Sequence, residues 1–184
     1  MALTPADWGP DFGQGDPYEA ASDELTVNKN CEAISRPPRG GTLASLIRWS
    51  VQYEPSFFAG SEVRVFADAA TAQKYIADAK KTTHTCATQT QGKTRWEDVR
   101  EAAPPQLNGF DELLAEESKL TSTNDGMKAN DLWLALAGRV DATVLTTVVR
   151  GATKDDAQVR KHAREGLQLM QKRLAGASPN AARQ

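Results

Sequence analysis

The stretch that decides the fold runs from Ser61 to Cys86, SEVRVFADAATAQKYIADAKKTTHTC. Val63, Val65 and Phe66 open it with a short β run. After the turn at Ala67-Asp68, the Asp68 carboxylate is placed to accept from the free N–H groups two or three residues on, so a helix begins there. Ala72, Tyr75, Ile76 and Ala79 then recur at helical spacing on one face. Lys80-Lys81 put cations where the helix dipole ends negative, and the helix fades through them. A threonine-rich exit leads to Cys86. The stretch therefore reads as strand, tight turn, amphipathic helix and tether.

N-terminal to it, Thr42 to Tyr53 alternates as a strand does. Leu43, Ile47, Trp49, Val51 and Tyr53 share one face, and Ala44, Arg48, Ser50 and Gln52 the other. Pro55 to Gly60 supplies the turn into the Val63–Phe66 strand, which returns antiparallel. Residues 1–41 are loop-rich, with a short helix from Thr4 or Pro5 through Trp8, and with Trp8 and Phe12 pinning the segment to the body.

C-terminal to Cys86, Arg95 to Val99 fits a short strand with Trp96 inward, and Pro104-Pro105 must break what precedes them. Residues 109–120, GFDELLAEESKL, place Phe110, Leu113, Leu114 and Leu120 at helical spacing, and propensity agrees with a helix. Asn124-Asp125-Gly126 signals a turn. Leu132 to Ala137 and Thr143 to Val149 read as strands joined around Gly138–Asp141. Thr153 and Asp156 have the spacing of a capping box. Val159, Ala163, Gly166, Leu167, Met170 and Leu174 then mark one face of a closing helix, with a flexible tail over 176–184.

Strand, turn, strand, helix thus occurs twice, over 42–82 and 131–174. The predicted class is α+β: a single antiparallel sheet with two main helices packed on one face, in one domain spanning 1–184. Trp49 and Met170 then belong to the same core between sheet and helices.

A chain of 184 residues with 40% hydrophobic content can bury a substantial core. A net charge of −2 gives no electrostatic pull toward nucleic acid or anionic lipid, so no nucleic-acid partner is expected. No apolar run approaches the roughly 20 residues of a membrane span. The abrupt polar segment after Met1-Ala2 is compatible with a removed leader.

Two cysteines occur, Cys31 and Cys86. Bonded, they would close a loop of about 55 residues, worth about 4 kcal/mol on the chain-entropy model; the alternative is two unrelated reduced thiols. Neither lies in an apolar run, where a free structural thiol usually hides, and this leans toward the bond.

Few residues could carry chemistry. His84 and Cys86 are too few to make a zinc site, and a Cys–His nucleophile would need a free thiol and an orienting partner. His162 lies beside the apolar stripe of the last helix, where a boundary histidine is ordinary. Asp111-Glu112 and Glu116-Glu117 could supply acid/base carboxylates, but neighbouring carboxylates on one element are more often solvation. Gly13-Gln14-Gly15 precedes no β–α unit, so it makes no phosphate loop. The residues support no enzyme, and no metal or cofactor is expected.

Several features together resemble the extracellular sensor domain of PknH-type mycobacterial receptor kinases, a domain that recurs in actinobacterial lipoproteins. They are LTPADWGPDFG near the start, Cys31 before the first long strand, VRVFADAATAQKYIADAKKTTHTC, NGFDELLAEES, and the final strand–strand–helix. The resemblance covers nearly the whole chain. It implies an extracytoplasmic, cell-surface or secreted domain, a Cys31–Cys86 disulfide, and a strand rather than a helix over 109–121. The kinase version carries a second disulfide for which this chain has no cysteines.

The function expected from that resemblance is a non-catalytic sensor or accessory domain, attached to the membrane only through a lipid anchor. It would bind a small molecule or a cell-envelope or signalling partner. The alternatives are a carrier of an apolar or lipidic ligand, which a closed apolar cavity would favour, and a small hydrolase or cyclase, which needs convergent polar groups in a pocket. If both helices cover one face of the sheet, alternation puts Arg48, Gln52, Arg64, Phe66, Trp133 and Arg139 on the other. Arginine forks beside aromatic planes there would suit an anionic or carbonyl-bearing ligand.

Overall fold

A computed structural model of the chain describes residues 1–13, 18–20, 23–123 and 126–177. In chain order the first elements are α1 (Pro5–Trp8), β1 (Tyr18–Ala20), β2 (Glu24–Val27), β3 (Ala33–Arg36), β4 (Thr42–Gln52) and β5 (Phe57–Phe66). Then come α2 (Ala69–Thr85), β6 (Gln89–Gln91), β7 (Thr94–Ala102), β8 (Glu112–Ser122), β9 (Lys128–Val140), β10 (Thr143–Ala152) and α3 (Asp156–Ala177). An eight-stranded sheet has the order β1-β4-β5-β10-β9-β8-β7-β6, with each neighbouring pair antiparallel. β2 and β3 form a separate hairpin. The molecule is α+β as expected. It departs from the expected single sheet and two helices by this hairpin and by α1, the short helix foreseen at residues 5–8.

The repeated strand–strand–helix order is present as β4–β5–α2 and β9–β10–α3, but the helices lie on opposite faces of the sheet. Leu145, Val149, Leu134, Leu136 and Phe57 pack with Val159, Ala163, Leu167 and Met170 of α3. Phe66, Val144 and Leu114, of the opposite parity along their strands, pack with Ala72 and Ile76 of α2. Each helix folds back over the side of the strand end it leaves. β5 closes on Phe66, which faces α2, whereas Gly151 near the end of β10 faces α3, 3.0 Å separating its would-be Cβ from Val159. Alternation along a strand gives the two parities; which one a following helix covers depends on the turn between them.

The same parity corrects the expectation that Trp49 and Met170 share a core. Trp49 pairs with Gly60 on the α2 side, and its ring lies so close over Gly60 that a Cβ there would sit 2.0 Å away. Met170 is fully buried under the other face.

β8 shows tertiary context overriding propensity. Glu112–Ser122 pairs with β7 on one edge and β9 on the other, the latter register running from Glu112↔Arg139 to Ser122↔Lys128. A helix here would strand the backbone groups of both neighbours in the middle of the sheet. The strand implied by the resemblance is therefore the one observed.

Local signals at the helix ends held in part. Asp68 caps α2, its Oδ1 accepting from the Thr71 N–H at 2.7 Å, and the helix continues past Lys80-Lys81 to Thr85. The capping box at Thr153 does not form. Thr153–Asp155 is a 3-10 turn, and the Thr153 hydroxyl accepts from Asn130 Nδ2 at 3.0 Å. α3 runs through Gly176 and Ala177, where the tail was expected to begin; residues 178–184, like Asn124-Asp125 of the expected turn, lie outside the described residues.

Two clamps fix the periphery. Asp7 of α1 takes both guanidinium nitrogens of Arg173 at 2.9 and 2.5 Å, while Trp8 and Phe12 are buried beside α3. Cys31 and Cys86 are bonded with Cα atoms 5.5 Å apart, tying the hairpin loop to the end of α2. Thr90 adds a hydrogen bond from its N–H to the Cys31 carbonyl at 3.1 Å.

Candidate functional site

α3 crosses β10 and β9, and the segment after β7 packs Leu107 and Phe110 against the same face, so Ala115, Leu134 and Leu136 beneath are at most 3% exposed. A half-open cleft of about 380 Å³ lies there. Its floor is Ala115 of β8 with Leu134 and Leu136 of β9, and its far wall is Ala102, Ala103 and Pro105 where β7 runs out. α3 supplies the near wall through Ala157, Arg160, Lys161 and Arg164, spaced as one helical stripe beside the buried Val159–Ala163 line. The space exists because alanines stand at positions where larger side chains would close it.

The three cations differ. Arg160 is held by Glu117 at 2.9 Å and by Asp156 at 2.6 Å. Burial alone would lower its pKa, but the two carboxylates more than offset this. Glu117 is correspondingly held below the usual carboxylate range: burial pushes it up, and Arg160 with Arg100 pulls it down further. Lys161 and Arg164 are exposed on the rim and form no ion pair among the described residues.

The residues expected on an open face do not share one. Arg48 and Gln52 stand on the α3 side, paired across the strands with Ser61 and Phe57. Gln52 is buried and donates to the Glu54 carbonyl at 3.2 Å. Arg64, Phe66, Trp133 and Arg139 stand on the α2 side. Arg64 is only 2% exposed, its guanidinium bonded to Glu62 and set over the Tyr75 ring at 5.5 Å. Phe66 packs on Tyr75 at 5.4 Å beneath α2. Arg139 is taken by Asp111 at 3.0 Å and approaches Glu112 at 3.8 Å. The forks of Arg64 and Arg139 are thus already filled by carboxylates of the chain.

Trp133 belongs to a half-buried aromatic row on that face. It stacks with Phe58 at 6.4 Å, Phe58 stacks with Trp49 at 4.8 Å, and Trp96 meets Trp133 edge-on at 5.6 Å.

The other chemical candidates dissolve on inspection. Cys86 is in the disulfide, so it offers no thiol, and His84 is exposed with its Nε2 3.1 Å from Glu101. Glu116 and Glu117 point to opposite faces: Glu116 accepts from Thr83 of α2, Glu117 from Arg160 of α3. Among the described residues no group of three His, Cys, Asp or Glu side chains is placed to hold a metal ion. A polar recess of about 200 Å³ at the β7–β8 irregularity has Asp98, Arg100, Glu117, Lys119 and Asp131 as its charged lining, of which Arg100, Glu117 and Asp131 are committed to ion pairs. Sequence reading missed the cleft. Its one available signal was Ala157, Arg160, Lys161 and Arg164 at helical spacing beside the apolar stripe of α3.

No family model matches the chain, and no curated protein does either. Among solved structures it is similar to the crystal structure of the extracellular domain of PknH from Mycobacterium tuberculosis, with a TM-score of 0.57 and 16% identity over 92% of each chain. At that identity the shared property is the fold, which is the one the sequence resemblance implied.

Proposed function

We propose that the chain is a non-catalytic sensor or accessory binding domain that works outside the cytoplasmic membrane and takes a small molecule in the cleft beside α3. The cleft carries this reading: an apolar floor on rigid strands, with a few charged groups at the rim, is the usual composition of a small-molecule site. The Cys31–Cys86 bond supports an oxidising compartment, where disulfides form and persist. The fold shared with an extracellular domain points the same way as an argument from architecture. A cleft that is half-open fits a sensed ligand in exchange with solvent better than a carried lipid, which a closed cavity would hold. No described helix is long and apolar enough to cross a membrane, and a lipidated N-terminus is the proposed attachment.

Intact-mass analysis of the native protein from fractionated cells tests the location. A lipid-modified, leader-processed chain in the envelope fraction is expected. A cytoplasmic chain with both cysteines alkylatable would contradict the proposal.

A further inference from the structure

From the distribution of charge around the cleft we infer that its ligand is an amphipathic anion: a compact alkyl or aryl body ending in a carboxylate or phosphate. The inference rests on the reading of the cleft as a ligand seat and names what sits there. The body lies on Ala115, Leu134 and Leu136, and the anionic end meets Lys161 and Arg164.

Two observations support this orientation. Arg160 is neutralised within the protein by Glu117 and Asp156, so its charge is already answered. Lys161 and Arg164, three residues apart on the same side of α3, have no ion-pair partner among the described residues, and like charges at that spacing repel. An anion between them relieves that repulsion, and the guanidinium of Arg164 can grip a carboxylate or phosphate through two parallel hydrogen bonds.

The size of the body follows from the volume. About 380 Å³ is near the lower end of small-molecule sites. It suits one short chain or one ring system and is too small for a two-tailed lipid. The alanine walls carry no buried donor or acceptor side chains, so the apolar part is read by shape alone. A neutral apolar compound would fill the floor and leave the two cations unanswered. Free inorganic phosphate would meet the cations and gain nothing from the floor.

Calorimetric titration of the whole chain with octanoate, octyl phosphate, 1-octanol and inorganic phosphate tests this. Octanoate or octyl phosphate should bind, with 1-octanol and inorganic phosphate each weaker by about tenfold or more. The double variant Lys161→Ala/Arg164→Ala should lose about tenfold in affinity for the anions, as removing two rim ion pairs would, and raising salt should weaken the parent. Ala157→Leu, on an exposed helical position that tolerates leucine, should abolish binding by closing the near wall. If 1-octanol binds as well as octanoate and the double variant is unaffected while Ala157→Leu still blocks, the ligand class is wrong and the seat is right. If no probe binds, or Ala157→Leu leaves binding intact, the seat itself is overturned.

Discussion

On the α3 face, Leu134, Leu136, Leu145 and Val149 meet Val159, Ala163, Leu167 and Met170, all buried and all apolar. The α2 face of the same strands carries Glu62, Arg64 and Glu116 under the helix and the half-buried row Trp49, Phe58, Trp133 and Trp96 beyond it. Apolar burial stabilises the first at about 25 cal/mol per Å² without regard to direction. The second depends on pairs that must be complete. Arg64 answers Glu62, Thr83 answers Glu116, and Arg39 bridges Glu24 of the hairpin and Asp78 of α2. The disulfide then holds the hairpin to the helix end. One sheet therefore has a face that tolerates an open cleft at its margin and a face that tolerates few changes in its charge pairs.

The contrast is sharpest at Arg64. Replacing it with Met should cost about 3–5 kcal/mol, because Glu62 would be left buried without its cation. The double variant Arg64→Met/Glu62→Met should recover most of that loss in urea unfolding. A single variant as stable as the parent would mean the α2 face does not depend on its ion pairs.

Cutting the tether comes next. Cys31→Ser should cost about 4 kcal/mol or somewhat less, on the chain-entropy estimate for a loop of this length. Hydrogen exchange should show protection lost in β2–β3 and the end of α2 and kept in β9, β10 and α3. Uniform loss across both faces would show that the two are not separable.

Met170→Ala should cost about 2–5 kcal/mol as a buried deletion, and Trp49→Ala less than a fully buried Trp would, because Trp49 keeps part of its ring in water. Since the two stand on opposite faces, their costs should add within about 0.5 kcal/mol in the double variant. A larger coupling energy would return them to one core.

The smallest effects are in pH. Asp7, hydrogen-bonded to Arg173 on the α3 side, is held down to about 2. Its folded value lies below the unfolded one, so its contribution is complete above the ordinary carboxylate range and is lost as pH falls toward about 2. Glu116 behaves in the opposite sense. Burial raises its pKa, and the Thr83 hydrogen bond only partly offsets that. The groups around it are Thr83 of α2 and, across β7, Glu101 with His84. The stability contributed by its protonated form is complete below its ordinary value of 4.5 and is lost as pH rises through the raised folded value. Asp7→Asn should therefore flatten the acid side of the stability profile, and Glu116→Gln the side above it. Both variants tracking the parent would remove the electrostatic contrast.

These outcomes separate what the residues disclosed from what only the assembled chain does. Asp68 announced the start of α2, and the stripe from Val159 to Met170 announced the buried side of α3, because cap and periodicity act within a few turns. Residues 109–120 read as a helix by the same local rules, and only the pairing of Glu112–Ser122 with β7 and β9 makes a strand there. The parity of Trp49 against Arg48 was visible; which parity each helix would cover was not. The cleft was least legible, since it is made by side chains that are missing, contributed by alanines far apart in sequence at 102, 103, 115 and 157.

A two-dimensional NMR titration of the whole chain with octyl phosphate compares the two faces in one measurement. Amide shifts should concentrate at Ala115, Leu134, Leu136, Ala157 and Lys161, with the indole signals of Trp49, Trp96 and Trp133 unmoved. Shifts at those indoles with the α3 cleft silent would place ligand recognition on the α2 face and contradict the assignment.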